Sequence, residues 1–234
     1  MKRMINFLGR GVMCMALVAA SAVPAFAQQR GGTLNMIVNP EPPTLMLGLN
    51  QLSGVQMIGG KIYQGLLKYS PTLEPLPELA KSWELSDDKR TYTFRLQDGV
   101  TWHDGKPFTS ADVEFTAMNM WKKILNYGST LQLFLTAVET PDPQTAIFKY
   151  ERPMPLNLLL RALPDLGYIS AKHLYESGDI RQNPTNLAPV GTGPFKFVKY
   201  ERGQYIIADR NADYWRPNAP YLDRIVWRVI TDRA

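Results

Sequence analysis

Residues 78–113 read "ELAKSWELSDDKRTYTFRLQDGVTWHDGKPFTSADV", and the change of hydrophobic period inside this stretch decides the fold class. From Thr91 to Leu96 the apolar side chains of Tyr92, Phe94 and Leu96 alternate with Thr91, Thr93 and Arg95, the period-two pattern of a strand with one buried face. Ser82 to Leu85 is placed to pair with it across Ser86 to Arg90, which predicts a hairpin. Asp98-Gly99 and Asp104-Gly105 then mark turns, with Gly105 expected at a positive φ. From Thr109 to about Leu125 the period becomes helical. Thr109 can cap, Asp112 takes the acidic position of the first turn, and Val113, Ala117, Met120 and Trp121 form one apolar stripe.

The same two periods recur outward from this stretch. Thr33 to Val38 predicts a first strand, stopped by Pro40, Pro42 and Pro43; Val55, Ile58, Ile62, Leu66 and Leu67 predict a helix from Ser53 to Leu67. A second hairpin is expected from Thr136–Glu139 and Thr145–Tyr150 around Pro141-Asp142-Pro143, and short helices near 156–163 and 171–177. A third hairpin joins Phe195, Phe197 and Val198 through Arg202-Gly203 to Tyr205, Ile206 and Ile207. Arg224 to Ile230 is a last strand, apolar enough that cover on both faces is expected. The class is mixed α and β with several antiparallel hairpins.

The first residues specify export. Lys2, Arg3 and Arg10 precede an uncharged apolar run from Val12 to Val23, too short to span a bilayer, and Pro24-Ala25-Phe26-Ala27 offers a small-x-small cleavage site. Residues 1–27 are therefore expected to be a signal peptide cleaved after Ala27. Cys14, the only cysteine, leaves with it, so neither a disulfide nor a thiolate metal site is expected in the mature chain. The formal charge of +5 falls to +2 without Lys2, Arg3 and Arg10, and the remaining basic residues are scattered among acids, which argues against a nucleic-acid partner.

His103-Asp104 is the one pairing that could be catalytic. Adjacent side chains on an extended segment point to opposite sides, and no Gly-x-Ser-x-Gly nucleophile pattern accompanies them. Gly191-Thr192-Gly193 lacks the lysine and helix start of a phosphate loop, and neither His103 nor His173 has metal-ligand spacing. No catalytic residue, metal or cofactor is expected; an exported hydrolase built on His103 and Asp104 is the alternative from another class.

Four stretches in order, "GGTLNMIV", "IYQGLLKYSPTLEPLPELAKSWELSDDKRTYTFRLQDGVTWHDGKPFTSADVEFT", "PVGTGPFKFVKY" and "NADYWRPNAPYLDRIVWRVITD", cover most of the chain after residue 27. In these the chain resembles the family 5 extracellular solute-binding proteins, the peptide/nickel class that serves ABC importers. It departs in having Lys89-Arg90 where Asp-Gly is common in the hairpin turn, and Gln97 where a basic residue is usual. The resemblance implies a periplasmic, monomeric binder with a periplasmic-binding-protein type II-like clamshell fold, represented here by the first lobe, the second lobe being absent.

It further implies a sheet subdomain of residues 28–70 plus 186–234 and an inserted subdomain of 71–185. The partners implied are a peptide or other small solute (a nickel complex, glutathione, haem, a sugar or an opine) and the membrane permease of an ABC importer; a truncated, non-binding product is the alternative. Ligand contacts are expected from the loop and helix start at Asn50, Gln51, Leu52 and Ser53, because open sheets bind at strand ends. Tyr127, Ser129 and Thr130 combine an aromatic ring with hydrogen-bonding groups, and Tyr168, at the edge of the third hairpin region, completes the set.

Overall fold

The computed structural model describes residues 30–124 and 129–230; the expected signal peptide and its cleavage site, Leu125 and Tyr127 lie outside them. Tyr92, Phe94 and Leu96 are buried on one face of β5 (Thr91–Leu96), as their alternation predicts. β5 pairs antiparallel with β4 (Ala80–Leu85), Trp83 facing Phe94, and on its other side with β7 (Thr145–Tyr150). With β6 (Leu135–Asp142) these strands form an antiparallel sheet in the order β4-β5-β7-β6. Phe94 meets Phe148 edge-on, ring centroids 5.2 Å apart, and Trp121 stacks on the same Phe148 at 6.1 Å, which fixes the predicted helix against the sheet.

A second four-stranded sheet has the order β1-β10-β9-β8, from β1 (Thr33–Val38), β8 (Phe195–Glu201), β9 (Tyr205–Arg210) and β10 (Arg224–Val229). β1 and β10 run parallel, Leu34 opposite Ile225; the other pairs are antiparallel. Helix α1 (Ser53–Ile62) packs on β8 and buries Val55, Ile58 and Ile62. A two-stranded hairpin, β2 (Leu67–Tyr69) with β3 (Pro75–Pro77), leads from α1 toward β4. Mixed α and β with several hairpins is the observed class.

Four sequence expectations are corrected. Helix α1 stops at Ile62 rather than Leu67, because the Ile62 carbonyl, which would accept from residue 66 in a longer helix, accepts instead from Gly193 N–H at 2.8 Å. The helix begun at Thr109 is α-helical only over Ser110–Phe115 (α2) and then widens into a π-helical turn at Thr116–Trp121, where Lys122 N–H reaches Ala117 O. Strand β10 is not covered on both faces: Ile225, Trp227 and Val229 are buried while Arg224 and Arg228 are exposed, and its interior place in the sheet accounts for its apolar content. In the third hairpin Phe195 faces Arg210 and Phe197 faces Ala208, with a bulge at Val198. The remaining helices are α3 (Ser129–Gln132), α4 (Leu156–Leu166) and α5 (Lys172–Tyr175).

Candidate functional site

Beyond β1 the chain runs irregularly, and Asn186 fixes it: Leu45 N–H and Thr44 Oγ1 both donate to the Asn186 carbonyl, at 2.8 and 3.0 Å. This seats Met46, Leu47 and Gly48 at the edge of a small recess of ≈ 10 Å³, room for about one water. The opposite wall comes from the π-helical turn, with Met120 and Trp121. The floor is where α1 releases the chain: Tyr63 is extended, and Gly65 bridges Tyr168, while Ile169 N–H donates to Gln64 O at 2.9 Å. Ser170 is held by Thr116, whose hydroxyl both accepts from Ser170 N–H (3.0 Å) and faces Ser170 O (3.2 Å). Trp121 Nε1 donates to Tyr168 O at 3.4 Å. Segments far apart in sequence thus meet through backbone bonds, and no lining residue is charged.

Tyr63 Oη is buried, with the Tyr175 hydroxyl as its polar neighbour. Tyr175 also lies against Met46 Sδ at 3.6 Å. Burial first, and then Tyr175, push the Tyr63 phenol well above its ordinary pKa. Burial, with Asp165 and Glu78 adding to it, pushes Tyr168 up to about 12. Both phenols are neutral hydrogen-bonding groups at any physiological pH.

Of the residues marked in the sequence, Tyr168 lines this recess, after α4 rather than beside the third hairpin. Asn50, Gln51, Leu52 and Ser53 follow Gly48 but do not line it: Asn50 Oδ1 accepts from Leu52 N–H at 2.7 Å, Gln51 is half-buried, and Leu52 and Ser53 are exposed at the start of α1. Ser129 and Thr130 open α3, which follows the segment bearing Tyr127. Tyr63, Met46 and Ser170 went unmarked in the sequence because nothing in their spacing links them. Met120 and Trp121 were legible only as a core stripe.

The histidines separate as the turn geometry predicts, and in a way that removes proton sharing between His103 and Asp104. His103 Nε2–H donates to Gly193 O at 2.9 Å and its Nδ1 accepts from Gly191 N–H at 3.3 Å, so backbone occupies both ring nitrogens. Burial, only partly opposed by the Gly193 bond, pushes its pKa down to about 4. Asp104 turns away to His173 Nε2 at 2.7 Å, and this hydrogen bond and the Lys106 N–H hold its carboxyl below the usual range against the opposing effect of burial. Gly105 has φ 87°. Neither histidine has a nucleophilic side chain as partner among the described residues, and those residues contain no His, Cys, Asp or Glu cluster fit to hold a metal ion.

A profile of the bacterial extracellular solute-binding proteins, family 5, matches residues 74–234. The chain belongs to this family. An ABC transporter peptide-binding protein of Brucella ovis is 32% identical over 99% of the chain, which spans 45% of that relative. The oligopeptide-binding protein of Bacillus subtilis, solved with a nonapeptide, superposes with a TM-score of 0.78 at 30% identity over 86% of the chain and 40% of that structure. The Campylobacter jejuni protein solved with Ni(L-His) gives a TM-score of 0.73 at 28% identity, over 85% and 39%. The family 5 chain described here therefore has the fold of these binding proteins and spans less than half their length. Among its described residues no helix is long and apolar enough to cross a membrane.

Proposed function

We propose that this chain supplies one wall of the ligand cleft of a periplasmic solute-binding protein that captures peptides and hands them to an ABC importer without altering a covalent bond. The observation that carries this is the likeness to the Bacillus subtilis oligopeptide-binding protein in complex with its nonapeptide. The signal-like residues 1–27 support export, and a net charge close to neutral after their removal supports a small-solute partner over a polyanion. Sheet membership supports the division into a sheet subdomain (28–70 with 186–234) and an insertion (71–185), since β1 pairs with β10 while β4 to β7 pair only among themselves.

In this reading Tyr168 faces the ligand and Asn50 to Ser53 border it, with Tyr127, Ser129 and Thr130 as further contacts. The chain binds as a monomer. A binder gains stability as RT ln(1 + [L]/Kd), so a peptide at a hundredfold excess over Kd should raise Tm by about 5–10 °C. Differential scanning fluorimetry with a mixed di- to nonapeptide library tests this; an unmoved melting curve with every peptide pool would overturn it.

A further inference from the structure

At the end of the β1-β10-β9-β8 sheet away from the proposed ligand border, we infer that the cavity lined by Arg30, Arg210 and Arg216 is a second binding site, for a small solute bearing a phosphate group. This site goes beyond the peptide-binding reading and does not depend on it. Arg30 lies just before β1 and Arg210 ends β9, whereas Asn50 to Ser53 come after the far end of β1. The six residues of β1 span about 20 Å between those ends.

The cavity measures ≈ 360 Å³, within the range of small-molecule sites. Its walls carry three guanidinium groups and the amides of Asn211 and Asn218, and no carboxylate. Asp223 and Glu78, which pair with Arg210 and Arg216, stand outside the lining and offset one charge each. Arg30 has no acidic partner among the described residues, so the cavity keeps a net positive charge that attracts anions.

The guanidinium groups are already fixed, and each has a donor to spare. Arg30 donates from Nη2 to Asn218 Oδ1 at 2.9 Å and lies over the Tyr221 ring. Arg210 gives Nε–H to Leu222 O at 3.2 Å and Nη2–H to Asp223. Arg216 stacks on Trp215, 4.6 Å from the ring centroid, while its Nη2 donates to Pro77 O at 3.3 Å. In all three, Nη1 makes no hydrogen bond among the described residues. Side chains held in this way lose little freedom when an oxyanion arrives, and the bonds they make to it are charge-assisted. Three cations supplied by three segments match a tetrahedral phosphate ester, with its three free oxygens, better than a planar carboxylate with two.

Isothermal titration at constant ionic strength with glycerol 3-phosphate, inorganic phosphate and acetate tests the site. Both phosphates should bind saturably, and at least about tenfold more tightly than acetate. The tighter of the two shows whether the ester or the free ion is the better fit. Arg30→Gln, which disturbs only Asn218 and Tyr221, should weaken phosphate binding about fivefold or more. Lys149→Gln removes the same charge from β7 in the other four-stranded sheet and should leave phosphate binding unchanged. Acetate binding as tightly as the phosphates, no saturable binding of either phosphate, or the two variants binding alike would overturn the site. None of these results touches peptide binding, which the melting shift reads separately. If Arg30→Gln does not fold, the preference of the unaltered chain for phosphate over acetate decides the matter.

Discussion

His103, the histidine of the one pairing that could be catalytic, does structural work, as does the buried Asp112. His103 must be neutral to accept from Gly191 N–H, and its pKa of about 4 in the fold lies below the unfolded value near 6.5. The unfolded chain therefore binds the extra proton first on acidification. Stability from this group is complete above about pH 7.5, declines as pH falls through 6.5 toward 4, and at the bottom of that window is lower by about 3 kcal/mol. Melting temperatures followed from pH 7.5 to 4.5 should fall more steeply for the unaltered chain than for His103→Gln; parallel curves would contradict the assignment. Asp112 is buried and accepts from Thr109 N–H and Lys172 N–H, both at 2.9 Å, with Trp102 Nε1 at 3.4 Å. Asp112→Ala leaves those donors unpaired and should cost about 2–4 kcal/mol in urea denaturation.

At the scale of elements, the hairpins β4–β5 and β6–β7 followed the sequence, whereas helix ends, the register of β8–β9 and the β2–β3 pair did not. The hairpin turn after β4 places Lys89 at φ 56°, a left-handed conformation that an L side chain adopts at a cost. Lys89→Gly should raise stability by about 0.5–1 kcal/mol, read as a shift in urea midpoint without a change in m-value. The end of α1 is more tightly constrained. A Cβ on Gly191 would lie 1.9 Å from Ile62 O, and one on Gly193 2.5 Å from it. The Gly-Thr-Gly triplet, unsuited to phosphate, is there to let two backbones touch. Gly191→Ala should destabilise by about 3 kcal/mol or more, or abolish soluble expression, whereas Gly178→Ala, in open space, is far milder despite its positive φ.

Across the whole molecule the two four-stranded sheets are joined at few but buried places. His103 holds 191–193, Gln64 O holds Ile169, and a single hydrophobic core runs through both sheets. Unfolding should accordingly be one cooperative transition. Denaturation followed by tryptophan fluorescence, from Trp83, Trp102 and Trp121 on one side and Trp215 and Trp227 on the other, should coincide with far-UV circular dichroism. A Trp215→Phe, Trp227→Phe double variant that unfolds earlier by dichroism than by fluorescence would show the sheets to be separable.

The sequence by itself determined the strands of the two four-stranded sheets, the Asp-Gly turns, the helix start at Thr109 and the family, but not the β2–β3 hairpin, because alternation, Asp-Gly pairs and capping residues are local signals within reach of one or two turns of chain. It also separated His103 from Asp104, since neighbours on an extended segment diverge. Only the tertiary structure decided where α1 ends, that Trp121 and Tyr168 line one recess with Tyr63, and that Asp104 pairs with His173. Each of these depends on partners supplied from far along the chain, such as Gly193 for Ile62 and Thr116 for Ser170, and no local pattern encodes a contact whose other half is another segment's backbone.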